Sequence, residues 1–299
     1  MKAEKIGFIG VGHMGHGMAK NLVEKGWALS VMGHRNRAPV EDLVGRGARE
    51  VKTPREMAET CDVVVLCVTG SPQVDAILTG PDGLMAAGRA LTVIDCSTSE
   101  PAETVRLAAD AAQKGITLID APLGRTPKEA WEGTLDIMVG GSDADVARVR
   151  PILEAMAARV VHMGPTGAGH TTKLLNNFLS LGYAAIYAEA FTLAKKAGVT
   201  PKALDQILRG GRMDCGFYQT YTKWVIDRDP NAHKFAISNG LKDLTYLAGF
   251  ANAMGVANPV GSAARNSFAY AVGTGNAEKY VPMLADVIAG LNGVSLVDP

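Results

Sequence analysis

Residues 5–25, which read KIGFIGVGHMGHGMAKNLVEK, decide the fold. The apolar run at 5–9 predicts a strand, and residues 14–25 carry apolar side chains at helical spacing. Between them, Gly10-Val11-Gly12-His13-Met14-Gly15 matches the GxGxxG fingerprint of dinucleotide-binding folds. Its first glycine permits a tight turn, its second admits the pyrophosphate, and its third lets helix and strand pack closely. The stretch predicts a dinucleotide site, and its strand–helix setting disfavours a glycine-rich turn without a ligand.

The same loop supplies the predicted cofactor contacts at the start of the helix. The N–H groups at a helix N-terminus have no partner within the helix, and the helix dipole favours an anion there. We therefore predict that Gly10, Gly12, His13, Met14 and Gly15 bind the cofactor. His13 is expected to be a loop residue near the cofactor and not a base.

The chain up to residue 163 alternates short apolar segments with helical ones, such as 101–113 and 143–157. This alternation predicts βαβ units and a largely parallel sheet with helices on both faces. We expect residues 1–163 to form a Rossmann-like, doubly wound dinucleotide-binding domain of α/β class. Its predicted strands are 5–9, 29–32, 62–68, 91–96, 116–119, 135–139 and 160–163.

From residue 164 the apolar spacing is helical throughout. A turn cluster at 164–169 precedes a long predicted helix over 170–197, and Pro201, Pro259 and Pro282 lie near later helix starts. We expect residues 164–299 to form an all-helical substrate and oligomerisation domain, entered by that long interdomain helix. His162 and His170 flank the turn and are predicted to be structural.

The bulk composition disfavours several classes of protein. The 299 residues suggest about two domains. A nucleic-acid binder usually has a basic excess, but 30 basic and 30 acidic side chains balance here. No apolar run approaches the ~20 residues of a membrane span, and the N-terminus does not resemble a secretory signal. The four cysteines form no CxxC pair, which predicts reduced thiols, no metal site and a cytoplasmic location.

The end of the second predicted strand bears on the choice between NADP and NAD. NAD enzymes usually have an acidic residue there that binds the ribose hydroxyls. Residues 33–37 read GHRNR, without a carboxylate, and we predict that His34, Arg35 and Arg37 pair with a 2′-phosphate. NADP is therefore favoured over NAD, and a solvated basic loop is the alternative. Further predicted cofactor contacts, at the end of the next predicted strand, are Val68 and Thr69.

Several blocks lie in order along nearly the whole chain. After GFIGVGHMG at 7–15, they are Asp95-Cys96-Ser97-Thr98 with Pro101, Asp120-Ala121-Pro122 with Ala130 and Gly133-Thr134-Leu135, Gly167-Ala168-Gly169 with Lys173-Leu174-Leu175-Asn176-Asn177, and Lys242-Asp243-Leu244. This set resembles the signatures of the β-hydroxyacid dehydrogenases, which include 3-hydroxyisobutyrate dehydrogenase and tartronate semialdehyde reductase. Several blocks in one order are far more specific than any single motif.

The resemblance implies an oxidoreductase that transfers a hydride between NAD(P) and the hydroxyl or aldehyde carbon of a small anionic β-hydroxy acid. The resemblance assigns the acid–base role to Lys173. A lysine can serve in this role because desolvation or nearby positive charge lowers its pKa towards the working pH. A distant likeness to 6-phosphogluconate dehydrogenases implies that Asn177 is the closer catalytic helper. Thr98 is implied to contact substrate and nicotinamide, and Lys242 to close over the cofactor, with a solvated surface lysine as the alternative. The family also implies homodimers or homotetramers.

Polar residues on the long predicted helix form a stripe. Lys173, Asn176, Asn177 and Ser180 are spaced to share one helix face. Unpaired buried polar groups are unfavourable, so the stripe needs partners, and a bound hydroxyacid would supply them. Asn176 and Ser180 are therefore predicted to bind the substrate. Interdomain hydrogen bonds are the alternative explanation.

One block departs from the family pattern. Most members have Ser-Gly-Gly where this chain has Gly124-Arg125-Thr126 after Leu123. That variant, together with Ser180, resembles 3-sulfolactaldehyde reductase, a member that acts on a three-carbon sulfonate. We therefore predict that Gly124, Arg125 and Thr126 bind the anionic end of a short sulfonate or carboxylate. For Arg125 alone, a structural salt bridge is the alternative.

Other functions remain as alternatives at this point. 3-Hydroxyisobutyrate dehydrogenase and tartronate semialdehyde reductase are the nearer ones, since they share the family blocks. An imine reductase on the same fold is more remote, because those relatives usually replace the lysine that this chain has at Lys173. A cofactor-binding module without turnover is disfavoured for the same reason.

Overall fold

The structure is a computed structural model that describes residues 4–297. The chain divides into two compact units, Met1–Lys173 and Leu174–Pro299. The division falls inside a helix, later than the predicted boundary at residue 163, because the first turn of that helix is hydrogen-bonded to the sheet of the first unit. Within residues 4–297, no helix is both long enough and apolar enough to cross a membrane.

The described part of the first unit contains a sheet of nine strands. They are β1 (Lys5–Ile9), β2 (Ala28–Met32), β3 (Arg49–Val51), β4 (Val63–Leu66), β5 (Leu91–Asp95), β6 (Ile116–Asp120), β7 (Leu123–Gly124), β8 (Leu135–Gly140) and β9 (Ala157–Gly164). Their order is β3-β2-β1-β4-β5-β6-β8-β7, with β9 also paired to β8. The six strands from β3 to β6 are all parallel. This 3-2-1-4-5-6 order is that of a doubly wound Rossmann sheet and confirms the predicted fold class.

Helices connect the strands of the first unit and make up most of the second. Those up to the division are α1 (Gly15–Glu24), α2 (Ala38–Gly45), α3 (Pro54–Thr60), α4 (Ser71–Thr79), α5 (Pro101–Ala112), α6 (Pro127–Glu132) and α7 (Asp143–Leu153). The division falls within α8 (Ala168–Lys196), and the second unit continues with α9 (Pro201–Leu208), α10 (Gly216–Asp227), α11 (Ile237–Ala253), α12 (Pro259–Gly273) and α13 (Leu284–Leu291). No strand lies between residues 174 and 297, so the predicted helical region is confirmed.

Both faces of the sheet are buried, which explains the continuous apolar runs in the sequence. Along β4, Val63 and Val65 belong to one apolar cluster, and Val64 and Leu66 belong to another. The alternation follows from the period of two in a strand, and it lets helices cover both sides. The second unit has a separate core that includes the fully buried Tyr218, Tyr221 and Phe268.

The structure differs from the predicted elements in three places. The short strands β3 and β7 were missed, because two or three residues carry too little periodicity to be recognised. The helix predicted at 143–157 ends at Leu153, because the chain from Ala157 pairs with β8 as the strand β9. All four cysteines are free thiols, as predicted; Cys61 and Cys96 are buried, and Cys215 is exposed.

Candidate active site

The glycine loop joins β1 to α1 and leaves part of its backbone open. Gly10 has a φ of 98°, and a Cβ there would lie 2.2 Å from the carbonyl oxygen of Cys67. A Cβ on Gly15 would lie 2.0 Å from the carbonyl oxygen of Gly10. A Cβ on Gly12, in contrast, would meet no heavy atom of the described residues within 4 Å. Gly10 and Gly15 therefore allow the loop to pack, and Gly12 keeps its backbone accessible.

The N-terminus of α1 fits a pyrophosphate group. No side chain in residues 4–297 caps this helix at Met14, and its first turn has no acidic residue. The unsatisfied N–H groups and the positive end of the helix dipole therefore face an open position suited to an anion. His13 is exposed and Met14 is half-buried next to that position. The residues of the loop thus fit the dinucleotide that the sequence predicts.

The ends of β4 and β5 lie beside the glycine loop. The Val68 N–H donates a hydrogen bond to Ser97 Oγ at 3.0 Å, and a Cβ on Gly10 would lie 3.0 Å from Cγ1 of Val68. Thr69 is exposed, and Thr98 is half-buried. The predicted contacts Val68, Thr69 and Thr98 therefore lie at the carboxyl edge of parallel strands, where ligands bind in such sheets.

The basic loop after β2 contains two arginines in different states. Arg37 donates from both terminal nitrogens to the Glu50 carboxylate, at 2.6 and 2.8 Å. This bond raises the pKa of Arg37 and lowers that of Glu50. Arg35 and His34 are exposed, and no ion pair in residues 4–297 engages the Arg35 guanidinium. Arg35 is therefore more available than Arg37 to a 2′-phosphate, because the Arg37 guanidinium is already paired with the Glu50 carboxylate on β3.

Arg125, directly after β7, has an unusual backbone and a carboxylate partner. Its φ is 76°, in the left-handed region. Its Nε donates to Oδ2 of Asp136 at 3.0 Å, and Nε of Arg159 donates to the other oxygen at 3.2 Å. The bond to Asp136 raises the pKa of Arg125. The Arg125 side chain is nevertheless 46% exposed, so the salt bridge faces water, and the anion-binding role of Arg125 stays a prediction.

Thr126 caps α6 with its side chain. Its hydroxyl donates to the Glu129 carboxylate, which also accepts the Thr126 N–H at 3.0 Å. The Thr126 oxygen in turn accepts the Lys128 N–H at 3.3 Å. These bonds form a capping box. The Thr126 hydroxyl, which was predicted to donate to the substrate, therefore donates its proton to Glu129. Gly124 faces β8, where a Cβ on it would lie 3.2 Å from that of Asp136.

Part of the predicted polar stripe lies in the second unit. Asn177 is buried, and its Nδ2 donates to Oδ2 of Asp243 at 2.6 Å. The other oxygen of Asp243 lies 3.0 Å from Nζ of Lys242. The Ser180 hydroxyl donates to the Asn177 carbonyl at 3.1 Å, and Asn176 is exposed. Asp243 therefore fixes the orientation of the Asn177 amide and links it to the predicted cofactor lysine.

Two family models match successive parts of the chain. Residues 5–164 match the NAD binding domain of 6-phosphogluconate dehydrogenase. Residues 167–285 match the family described as NAD-binding of NADP-dependent 3-hydroxyisobutyrate dehydrogenase. A 3-hydroxyisobutyrate dehydrogenase of Pseudomonas aeruginosa is 35% identical over 271 residues, which cover 88% of this chain and 90% of that protein. The chain belongs to the β-hydroxyacid dehydrogenase family.

Two further similarities bear on the assignment of this β-hydroxyacid dehydrogenase. The 3-sulfolactaldehyde reductase of Escherichia coli K12 is 32% identical over 272 residues, 90% of this chain and 91% of that protein. A solved 3-hydroxyisobutyrate dehydrogenase of Mycobacterium tuberculosis with L-serine has a TM-score of 0.85 and 27% identity, and covers 96% of this chain. The predicted family, the NAD(P) cofactor class and the oxidoreductase activity on a CH–OH group are confirmed.

Two residues that support this site, Asn21 and Asp243, were not predicted from the sequence. Asn21 is buried in α1, and its Nδ2 donates to the carbonyls of Gly17 at 2.8 Å and Ala130 at 2.9 Å, which ties α1 to α6. Asp243 lies in the Lys242-Asp243-Leu244 block, but no role was predicted for it. The available signal was that Asp243 falls within the buried face of α11 with Gly240 and Leu247, where a carboxylate requires partners.

Among residues 4–297, no group of three His, Cys, Asp or Glu could hold a metal ion.

Proposed function

We propose that this β-hydroxyacid dehydrogenase interconverts a short aldehyde and alcohol that carry a sulfonate, the substrate class named in the similar 3-sulfolactaldehyde reductase. We further propose that its cofactor is NADP(H). The observation that carries the proposal is the backbone of Arg125. Its φ of 76° suits the glycine that most of the family has at this position. A non-glycine residue in that conformation is strained, and strain of this kind concentrates at functional sites. The strain therefore points to a role for the Arg125 side chain beyond its exposed salt bridge to Asp136.

The salt bridge to Asp136 is compatible with substrate binding. Exposed ion pairs contribute little free energy, because water and salt screen them. Asp136 would keep Arg159 as a partner if Arg125 turned to a bound anion. A guanidinium offers a planar fork of donors, and a sulfonate offers three acceptor oxygens. We infer that Asp136 holds Arg125 ready in the free enzyme and releases it to the substrate.

The proton transfer is proposed for Lys173 on α8. The nicotinamide supplies or accepts the hydride when it is bound. The Lys173 ammonium would donate a proton to the carbonyl oxygen during reduction, and the neutral amine would accept the hydroxyl proton during oxidation. Asn177 would orient the same oxygen, since its amide is held by Asp243 at 2.6 Å. Thr98 at the end of β5 would contact the substrate and the nicotinamide.

A panel of aldehydes tests the substrate class. Initial rates at 340 nm are measured with NADPH and NADH for 3-sulfolactaldehyde, tartronate semialdehyde, methylmalonate semialdehyde and a neutral aldehyde of similar size. We expect the highest kcat/KM with the sulfonate and NADPH. A higher kcat/KM with either carboxylate contradicts the sulfonate assignment and supports the corresponding family activity. Equal rates with the neutral aldehyde contradict recognition of an anionic group.

Variants around Asp136 test whether Arg125 reads the anion. R125G restores the residue typical of the family, and it should raise KM for the anionic aldehyde by about 10–100-fold, the usual contribution of a hydrogen bond to a charged group. R159A is the matched control, because it removes the other arginine from Asp136 and should leave KM unchanged. D136N should leave KM unchanged or lower it, because it releases Arg125. Equal losses in R125G for anionic and neutral aldehydes would show that Arg125 only supports the loop.

A further inference from the structure

The first turn of α8 rests on a buried polar cluster that lies wholly within the first unit. It contains two carboxylic acid side chains, Asp95 at the end of β5 and Asp120 at the end of β6, and the imidazole of His170, and each is at most 1% exposed. Thr104 of α5 belongs to the same cluster and is 2% exposed. The predicted mechanism uses none of these four side chains, so their burial requires another explanation.

Asp120 acts as a cap supplied from a distant part of the chain. Its Oδ1 accepts the Gly167 N–H at 2.7 Å, and its Oδ2 accepts the His170 N–H at 2.9 Å. These N–H groups would otherwise lack partners at the start of α8, and bonds from N–H groups to a carboxylate are strong. The contact is also tight, because a Cβ on Gly169 would lie 2.9 Å from Asp120 Oδ2 and 2.5 Å from the Met138 carbonyl oxygen. The helix start is therefore fixed against the ends of β6 and β8.

His170 fixes the same turn from another direction. Its Nδ1 lies 2.7 Å from Thr104 Oγ1, which also bonds the Glu100 carbonyl at 3.1 Å. In the arrangement in which the Thr104 hydroxyl donates to the Glu100 carbonyl, the imidazole Nδ1–H donates to Thr104. The other nitrogen, Nε2, is buried without a hydrogen-bond partner in residues 4–297 and lies 3.8 Å from Oδ2 of Asp95. The imidazole is thus held between α5 and β5.

We infer that Asp120, together with His170, is a positioning residue for Lys173, an inference that rests on the proposed acid–base role of Lys173. Lys173 follows His170 by three residues, so it lies nearly one turn further along the same helix. A rotation or shift of the first turn would carry the Lys173 amine with it. Misplacement of a reacting group by about 1 Å can lower the rate by about 10²-fold. The buried Asp120 carboxylate therefore fixes the position of the helix turn that precedes the Lys173 amine.

Steady-state kinetics of D120N and of paired His170 variants test the inference, together with cofactor binding followed by fluorescence. D120N should lower kcat by about 10–100-fold and leave the Kd for NADPH within about 2-fold, because the glycine loop is separate. H170N keeps an N–H donor near the place of Nδ1 and should retain most of kcat, whereas H170A should lose it. S99A is the matched control, because it removes a 3.1 Å bond to Asp95 without touching α8. S99A should lower the Tm and leave kcat unchanged.

A double-mutant comparison separates positioning from a general loss of stability. If Asp120 acts through Lys173, then D120N in the K173A background should lower kcat by less than about 3-fold, since residues that act as a unit are not additive. If the losses of kcat in D120N and K173A multiply in the double variant, positioning is contradicted. Positioning is also contradicted if the kcat of D120N, measured at a temperature below its Tm, lies within about 2-fold of that of the parent enzyme. If D120N does not fold, the contrast between H170N and H170A decides the same question. Near-parental turnover in K173A instead contradicts the proposed function, and with it this inference.

Discussion

Two loops at the carboxyl edge of the sheet use opposite means of recognition. The glycine loop, residues 10–15, presents backbone N–H groups of α1, and its glycines remove side chains from the path of a ligand. The substrate loop, residues 124–126, presents side chains, and both Arg125 and Thr126 are already bonded to carboxylates within the protein. The first loop therefore needs only a particular backbone conformation. The second depends on partners that lie elsewhere in the chain.

This difference sets what substitutions can change in each loop. A site built from backbone N–H groups is damaged by added side-chain atoms, because those atoms occupy the space that the ligand needs. A side-chain site can be altered one group at a time, and its competing partners, such as Asp136, can be altered separately. We therefore expect variants of the glycine loop to separate packing from cofactor affinity, and variants of the substrate loop to separate stability from KM.

The largest effect is expected outside both loops, at Lys173. K173A should lower kcat by about 10²–10⁴-fold, the usual contribution of a positioned proton-transfer group, with little change in cofactor Kd. K173R tests charge against proton transfer, because a guanidinium keeps the charge and does not release its proton. Both variants should therefore be impaired in steady-state assays at 340 nm. Full activity in K173R would show that a positive charge alone suffices.

The glycine loop should yield two different defects from the same added methyl group. G15A forces a Cβ to 2.0 Å from the Gly10 carbonyl oxygen, so the free energy of unfolding should fall by about 3 kcal/mol. G12A meets no described atom within 4 Å, so its Tm should stay near that of the parent. Its Kd for NADPH should nevertheless rise by about 10–100-fold, because the methyl group occupies the pyrophosphate position. A lowered Tm without a changed Kd in G12A would contradict cofactor contact at Gly12.

The same contrast explains how far the sequence predicts the structure. The alternation of strands and helices, the long helix and the glycine loop depend on local periodicity and on glycine spacing, and they were predicted from the sequence. The partners of the predicted arginines come from strands that are distant in sequence or too short to recognise. Glu50 lies on the missed strand β3, and Asp136 lies on β8.

The partners of buried polar residues also depend on the assembled fold. His170 was expected to be structural. The sequence does not show its partner, because Thr104 lies 66 positions away. Asp120 was part of a recognised block, yet nothing in that block indicates that its carboxylate caps α8. Such contacts follow from which strand ends meet at one edge of the sheet. Local pattern cannot show them, because they require the assembled topology.

A smaller effect is expected for the cofactor preference at the basic loop. R35A should raise KM for NADPH by about 10-fold, because it removes a charge-assisted bond to the 2′-phosphate, and it should leave KM for NADH unchanged. R37A should have a weaker effect, because Arg37 is engaged by Glu50 at 2.6 and 2.8 Å. E50Q weakens that engagement and should lower KM for NADPH if Arg37 also reaches the phosphate. Equal effects of R35A on both cofactors would identify the loop as a solvated basic cluster.

The smallest effect is expected at Thr126. Its hydroxyl caps α6 and is also proposed to contact the substrate, so one substitution affects both stability and KM. T126A removes the N-cap of α6 and should lower the free energy of unfolding by about 1 kcal/mol. E129A removes the other half of the capping box and leaves the hydroxyl in place, so it is the matched control. If the Thr126 oxygen also contacts the substrate, T126A should raise KM by about 2–10-fold, as expected for one neutral hydrogen bond, whereas E129A should not. T126S should restore both properties, because serine keeps the hydroxyl. An equal rise of KM in T126A and E129A would mean that Thr126 affects the substrate only by shaping α6, and the side-chain recognition proposed for this loop would then rest on Arg125 alone.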